Sequence, residues 1–272
     1  MLDRALKKLR DGLVSLGYPA NCRLCSRPVE SIDDGVVCSP CWDDETVTTL
    51  LYRLNICAKC GAPMSASTPS ALTKGFDCNH GSEPASYGQR HCGSCTAAPF
   101  TLARSCGVYA GALEASILFL KTHPHICARL RRILRQTVCR YREALSAEVV
   151  IPVPLHRLRE RRRGFNQAAI IARTVSEGLG LLVDDVTLVR TKHTERHRAG
   201  MDAIDRWRSV EGAFEVVRPR RIEGVSVLLV DDLYTTGSTL MSAAEVLLRA
   251  GACQASVLTI ARVMPAGSRR QT

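Results

Sequence analysis

The stretch Val227-Leu-Leu-Val-Asp-Asp-Leu-Tyr-Thr-Thr-Gly-Ser-Thr-Leu240 decides the fold. Aliphatic residues lead into two adjacent carboxylates, Asp231 and Asp232. A turn of small, mostly hydroxylated residues follows, Thr235-Thr236-Gly237-Ser238-Thr239. A helix-like run from Leu240 to Ala250 then closes on Gly251. A short continuous apolar run bounded by turn residues reads as a strand buried on both faces of a parallel sheet. The acids and the turn then fall at the carboxyl end of that strand, the edge where open α/β sheets bind ligands. A small-residue turn that opens a helix presents unpaired N–H groups and the positive end of the dipole to a phosphate. Carboxylates beside it can hold a divalent cation or sugar hydroxyls. A plain strand end with an Asx turn and a Ser/Thr cap uses the same residue types. The acid pair ahead of the turn favours the phosphate-and-sugar site.

A second unit of the same kind lies upstream. Val149-Val-Ile-Pro-Val-Pro-Leu-His156 reads as a buried strand stopped by prolines. A charged loop, Arg157–Arg163, carries arginines at 157, 159, 161, 162 and 163, and Gly164-Phe-Asn-Gln167 leads into a helix from Ala168 to Leu179. Arg163 and the backbone of Gly164–Gln167 are expected to line an anion site after Pro154. Some of the other arginines then face solvent or a nucleic-acid backbone. Further strands are expected at Leu102–Ala110, Leu181–Arg190, Gly212–Val217 and Ala255–Val263, with helices at Leu113–Lys121 and Ile126–Leu145. Strands alternating with helices imply a parallel sheet flanked by helices. The polar segment Thr191–Arg208 has little apolar periodicity and reads as a loop able to cover the site. Cys106, Cys127, Cys139 and Cys253 stand singly in apolar surroundings and are expected in the core.

Nine of the 13 cysteines fall between Cys22 and Cys95. They include four Cys-x-x-Cys knuckles: Cys22/Cys25, Cys38/Cys41, Cys57/Cys60 and Cys92/Cys95. Without an export signal this pattern favours zinc over disulfides, in closed four-thiolate structural sites. Sequential and interleaved pairing of the knuckles are both open. Cys78 and His80, in the Gly/Ser/Pro-rich insertion, are read as part of a solvated loop rather than as ligands. The net charge of +11 suits a polyanionic ligand or nucleic acid, whereas 5% aromatic residues disfavours a stacking platform for single strands. Residues 2–16 place Leu2, Leu6, Leu9, Leu13 and Leu16 at helical spacing among basic residues. That basic amphipathic helix is read as packing on its own domain. No run of 18 apolar residues occurs and the first ten are charged throughout, so a cytoplasmic protein with no stable membrane insertion is expected.

Val227–Thr239 resembles the signature of type I phosphoribosyltransferases, which hold phosphoribosyl pyrophosphate (PRPP). From Cys22 to Arg262 the chain resembles the ComF/GntX family, a double zinc ribbon followed by a phosphoribosyltransferase domain. The most ComF-like string is Arg163-Gly-Phe-Asn-Gln167. Together with the leucine spacing of the N-terminus and the composition of the C-terminus, the resemblance gives an expected N-terminal helix at 1–19, ribbons at 20–99, a transferase domain at 100–264 and a basic, disordered tail at 265–272. It also implies roles. Thr235, Thr236, Gly237, Ser238 and Thr239 hold the 5′-phosphate. Asp231 and Asp232 take the ribose hydroxyls, directly or through Mg²⁺. Pro154, Arg163, Gly164, Asn166 and Gln167 belong to the pyrophosphate loop, and Arg190, Thr194 and Arg206 to a hood over PRPP. Lys121 stands where such chains usually carry a lysine; it either reaches the ligand or simply ends its helix. His197 replaces a usual glutamine and Ser209 a usual asparagine, which puts the acceptor in question. The implied activity is phosphoribosyl transfer to an unnamed acceptor with release of pyrophosphate. The alternative is a PRPP-sensing accessory of DNA uptake that holds single-stranded DNA or competence proteins. The fold often pairs, so a homodimer is a further expectation.

Overall fold

The computed structural model describes residues 21–43, 56–64, 91–193 and 211–264. The N-terminal helix expected at 2–16, Cys78, His80, Thr194, His197, Arg206, Ser209 and the basic tail lie outside them.

The strand around Val227–Val230 is central. Strand β6 (Ser226–Tyr234) lies between β7 (Gln254–Arg262) and β2 (Val149–Pro152), with β1 (Leu102–Val108) beyond β7 and β3 (Leu182–Val183) beyond β2. All four pairings are parallel. The strand does not stop at the acids. It carries Asp231 and Asp232 within it and pairs on with β7 as far as Tyr234↔Arg262. The stretch expected at Leu181–Arg190 is broken by Asp184, whose carboxylate accepts hydrogen bonds from the amides of Val186 and Thr187 and from the Thr187 hydroxyl. Its second half, β4 (Leu188–Arg190), leaves the main sheet and pairs antiparallel with β5 (Phe214–Val216).

Helices cover both faces because the strand side chains alternate. Val150, Leu228, Val230, Leu258 and Ile260 face one core. They pack with α2 (Gly111–Leu120), α3 (Ala128–Arg140) and α6 (Gln167–Leu179). Ile151, Val227, Leu229 and Val257 face the other, beneath α7 (Ser238–Arg249). In α3, Leu130, Leu134 and Val138 recur every fourth residue and are buried, while Arg131, Arg132 and Arg135 point outward. That periodicity also corrects a cysteine expectation. Cys106 and Cys127 are buried, but Cys139, one residue off the buried stripe, is exposed. Cys253, in the turn before β7, is exposed as well. The helix expected over Ile126–Leu145 breaks at Tyr141, and a short α4 (Arg142–Leu145) follows.

Arg157–Arg163 is another correction: it forms helix α5 rather than a loop. Its only apolar residue, Leu158, is 48% exposed, so no hydrophobic stripe announces it. Local signals build it. His156 Nδ1 accepts from the Leu158 amide, and Gly164 ends it in the left-handed region at φ +84°.

The knuckles form a structural repeat. Asn21 bridges Pro28 around the first, as Ile56 bridges Pro63 around the third. Cys22 N donates to Arg27 O and Cys57 N to Ala62 O, and Ser26 and Gly61 adopt the same positive φ, 61° and 68°. The first knuckle region, with the short α1 (Ser39–Asp43), joins the first core through Cys22, Val37, Cys38 and Trp42; the third joins the second core through Cys57 and Cys60. The fit on the first side is tight. Gly35 has φ +76°, and a Cβ there would meet Cys127 Cβ at 2.8 Å. Gly35→Ala is therefore expected to lower stability by about 1–3 kcal/mol, measured as a lower denaturant midpoint with unchanged m-value.

Candidate functional site

At the carboxyl edge of the sheet two neighbouring strands bring the two sequence units together. Pro152 pairs with Val230, and Val153 N donates to Val230 O at 2.9 Å. The loop after β2 thus starts beside the acid pair of β6.

Asp231 is half-buried and Asp232 is 7% exposed. The Asp232 amide donates to Asp231 Oδ1 at 2.8 Å. Burial, and then the Asp232 charge, push the Asp231 carboxyl well above the usual carboxylate range; the Asp232 amide and Lys121 pull the other way. Asp232 Oδ2 is buried and accepts no hydrogen bond among the described residues. Lys121 Nζ lies 3.4 Å from that oxygen, in ion-pair range. The Lys121 backbone caps α2, donating to Ile117 O at 3.1 Å. The lysine therefore ends its helix and pairs with Asp232. Tyr109, just past β1, also senses Asp232, since burial, Glu114 and Asp232 raise its phenol.

The turn after β6 has a backbone that only glycine suits. Gly237 has φ +83° and caps α7, and a Cβ on it would lie 2.7 Å from Tyr234 Cζ. Thr236 Oγ1 and Ser238 Oγ are 2.8 Å apart. Thr235 is exposed, Thr236 and Thr239 are half-buried, and Gly237 and Ser238 are buried, so the turn offers both hydroxyls and helix-start amides at the edge.

In the second unit the side chains divide their labour. Asn166 caps α6, accepting from Ala168 N at 3.0 Å and donating to Val153 O at 3.0 Å. Arg163 donates to the side chain of Gln167, which is buried. Asn166 and Gln167 therefore hold the loop in shape, while Pro154 and Gly164 contribute backbone. Arg190 of β4 lies over the Phe214 ring at 5.3 Å. Burial and Arg159 lower its pKa, and Asp231 raises it, so Arg190 senses both the basic helix and the acid pair. His156 and His193 meet edge to face at 4.9 Å. Burial, His193 and Arg190 push His156 down. The histidine pair, Tyr109 and Tyr234 escaped sequence reasoning because each depends on neighbours distant in the chain.

The cysteines form two tetrads with sequential pairing, Cys22/Cys25/Cys38/Cys41 and Cys57/Cys60/Cys92/Cys95. Within each, all sulfurs lie within 4.8 Å of one another. Cys25–Cys38, Cys57–Cys95 and Cys60–Cys92 are 3.5, 3.4 and 3.4 Å apart. A tetrahedron with metal–sulfur bonds of about 2.3 Å has edges of roughly 3.8 Å, so the donor sets fit zinc. Backbone amides point at the sulfurs, Leu24 N at Cys22 Sγ and Cys92 N at Cys57 Sγ. Burial opposes ionisation of Cys22 and Cys57, yet such amides bring both thiols down to about 6, while the Cys25 sulfur pushes Cys41 up to about 12 and burial pushes Cys60 up to about 11.

A parallel sheet with an acid pair and a glycine turn at its carboxyl edge, carrying two cysteine tetrads, defines a phosphoribosyltransferase-fold protein of the zinc-ribbon kind. The Phosphoribosyl transferase domain family matches residues 121–271. The DNA utilization protein YhgH of Salmonella typhimurium is 30% identical over 258 residues, covering 92% of this chain and 100% of that one. Competence protein F of Haemophilus influenzae is 31% identical over 68% of this chain and 84% of its own. Competence protein ComFC of Bacillus subtilis is 35% identical over 42% of this chain and 44% of its own. The chain belongs to the phosphoribosyl transferase family, and its relatives place it in the ComF/GntX group.

Two outcomes are expected. Elemental analysis of the full chain should find two zinc ions, with one lost in Cys22→Ser/Cys25→Ser and one in Cys57→Ser/Cys60→Ser. Asp231→Asn should stabilise the ligand-free protein. A carboxyl whose folded pKa is raised contributes stability below the ordinary aspartate range, and that contribution is lost as pH rises through the raised value. At neutral pH the charge therefore opposes folding, and the asparagine should gain roughly 0.5–2 kcal/mol. The gain should shrink towards pH 4 in thermal melts across pH.

Proposed function

We propose that the protein binds Mg–PRPP at the carboxyl edge of β6 and β2 and transfers phosphoribose to an acceptor with release of pyrophosphate. The observation that carries this reading is the acid pair, with Asp232 buried and Asp231 raised in pKa by burial and its neighbour's charge, standing between the glycine turn of α7 and the loop after β2. In this reading residues 20–99 are a double zinc ribbon and residues 100–264 the transferase unit.

Each group of PRPP meets a different chemistry. The 5′-phosphate sits on the Thr235–Thr239 turn, held by amides at the start of α7 and by hydroxyls. The ribose hydroxyls donate to Asp231 and Asp232. Asp232 Oδ2, a buried acceptor without a hydrogen bond, is suited to take one of them or to hold a magnesium ion. Magnesium, when bound with PRPP, neutralises charge on the departing pyrophosphate. Arg163, the Gly164–Gln167 backbone and Arg190 supply positive potential around that group, and Thr194 and Arg206 belong to the covering hood. As the glycosidic bond breaks the sugar becomes cationic, and the acid pair stabilises that charge more than it stabilises the ground state. No protein nucleophile is needed.

A second reading has support of its own. The relatives are named for DNA utilization and competence, and exposed arginines stud α3 (Arg131, Arg132, Arg135) and α5 (Arg157, Arg161, Arg162). A PRPP-sensing accessory that holds single-stranded DNA would use the same sugar site with those arginines on the backbone.

Calorimetry on the full zinc-loaded chain tests the shared site. The parent should bind Mg–PRPP, and Asp231→Asn/Asp232→Asn should bind about 100-fold or more weakly through loss of charged hydrogen bonds. Equal binding by the double variant would remove the acids from the site. Pyrophosphate release from Mg–PRPP against a panel of bases, amines and ammonia, with and without single-stranded DNA, separates enzyme from sensor.

A further inference from the structure

A continuous set of buried contacts runs from the second cysteine tetrad to the glycine turn. Arg262, at the end of β7, is 7% exposed. Its Nη1 donates to the Cys60 carbonyl, and its Nη2 lies 3.8 Å from Cys60 Sγ. Its guanidinium lies 3.8 Å from the centroid of the Tyr234 ring, its partner in the β6–β7 register. Tyr234 is 4% exposed and packs edge-on against Phe100. Its ring lies directly beneath Gly237, so close that the turn has no room for a Cβ. Thus one buried cation touches both a metal-ligand residue and the aromatic floor of the turn.

Charge explains why that cation is there. A zinc ion with four thiolates is doubly negative, and a buried charge needs a partner. No carboxylate pairs with Arg262 among the described residues. The thiolate of Cys60 is the anion it faces, and the Tyr234 ring is its other neighbour. The same knuckle is moored to β1, where Arg104 Nη2 donates to Ala58 O at 2.8 Å and Ala103 N to Lys59 O at 2.8 Å. Loading the tetrad with zinc fixes Cys60 and gives Arg262 its counter-charge. Arg262 in turn fixes the ring on which the turn rests.

We propose that Arg262 is a positioning residue that couples zinc in the Cys57/Cys60/Cys92/Cys95 tetrad to phosphate binding on the Thr235–Thr239 turn, with Tyr234 as the contact between them. This inference rests on the reading of that turn as the 5′-phosphate site. Coupling between two sites is reciprocal in binding free energy, so bound Mg–PRPP must tighten that zinc ion by the same factor as the zinc ion tightens PRPP binding.

The test measures the zinc affinity of the full chain by equilibrium competition with a chromogenic chelator, with and without saturating Mg–PRPP, beside PRPP affinity by calorimetry. In the parent, PRPP should protect one of the two zinc ions by tightening its binding roughly tenfold. Arg262→Gln should abolish that protection and weaken PRPP binding by a similar factor, and Arg262→Lys should recover part of both. Equal protection in Arg262→Gln overturns the proposal. Should Arg262→Gln purify without its second zinc ion, Tyr234→Leu decides, since it leaves Arg262 and Cys60 in place: lost protection supports the coupling and retained protection overturns it. A parent that binds Mg–PRPP without protecting zinc sinks the coupling alone. A parent that binds no Mg–PRPP sinks the phosphate site and the coupling with it.

Discussion

Two carboxylates stand side by side where the central strand leaves the core, and the site is built around that repulsion. Burial strips water from Asp231, and the Asp232 charge adds to the cost of ionising it. Lys121 offsets part of this from the end of α2, where the helix dipole also favours a cation. What remains is a buried oxygen, Asp232 Oδ2, without a hydrogen bond among the described residues. Such an oxygen has capacity to accept from a hydroxyl or to meet a cation, and it is held in place because β6 is locked between β2 and β7. A stiff strand can carry an unfavourable charge pair that a loop would relax away.

The parts of this arrangement that depend on local pattern were legible in the sequence. Val227–Val230 is continuously apolar because both faces of β6 are covered, and Gly237 marks a turn that needs positive φ. Contacts that span the chain were not. Lys121 meets Asp232 only because α2 ends over the sheet edge, and nothing in the spacing says so. Arg157–Arg163 read as a loop because a helix with no buried face leaves no periodicity; only its His156 cap and Gly164 stop could have given it away. Cys139 and Val138 differ by one position and by the whole radius of a helix. The pairing of the cysteine knuckles needed three dimensions as well.

The two knuckle regions repeat one backbone design, yet the sheet separates them. The first packs Trp42, Val37 and Cys38 against α2 and α3, with Arg129 bridging to Ser39, Asp34 and Asp43. The third is fastened by arginines from the sheet itself, Arg104 from β1 and Arg262 from β7, donating to the carbonyls of Ala58 and Cys60. Small metal-bound modules have little core, so metal binding supplies much of their folding energy. Zinc on both tetrads would deliver that energy to both faces of the sheet whose edge carries the acid pair.

The different anchors follow from where each tetrad's charge can go. Cys25 and Cys41 are half-buried, and the exposed Arg27 sits beside Cys25, which raises its pKa, so solvent and a surface cation share the first cluster's charge. In the second tetrad Cys57, Cys60 and Cys95 are buried, and solvent does less. A charge in that position requires an internal counter-ion, and a sheet that supplies one must place an arginine in an otherwise apolar strand. Arg262 ends Gln254–Arg262, where every residue from Ala255 is buried. Its guanidinium can lie there only between an anion and an aromatic face, and the nearest face is Tyr234, the residue on which the glycine turn rests. The need to neutralise buried thiolates thus sets the floor of the glycine turn, the 5′-phosphate site of the proposed reading.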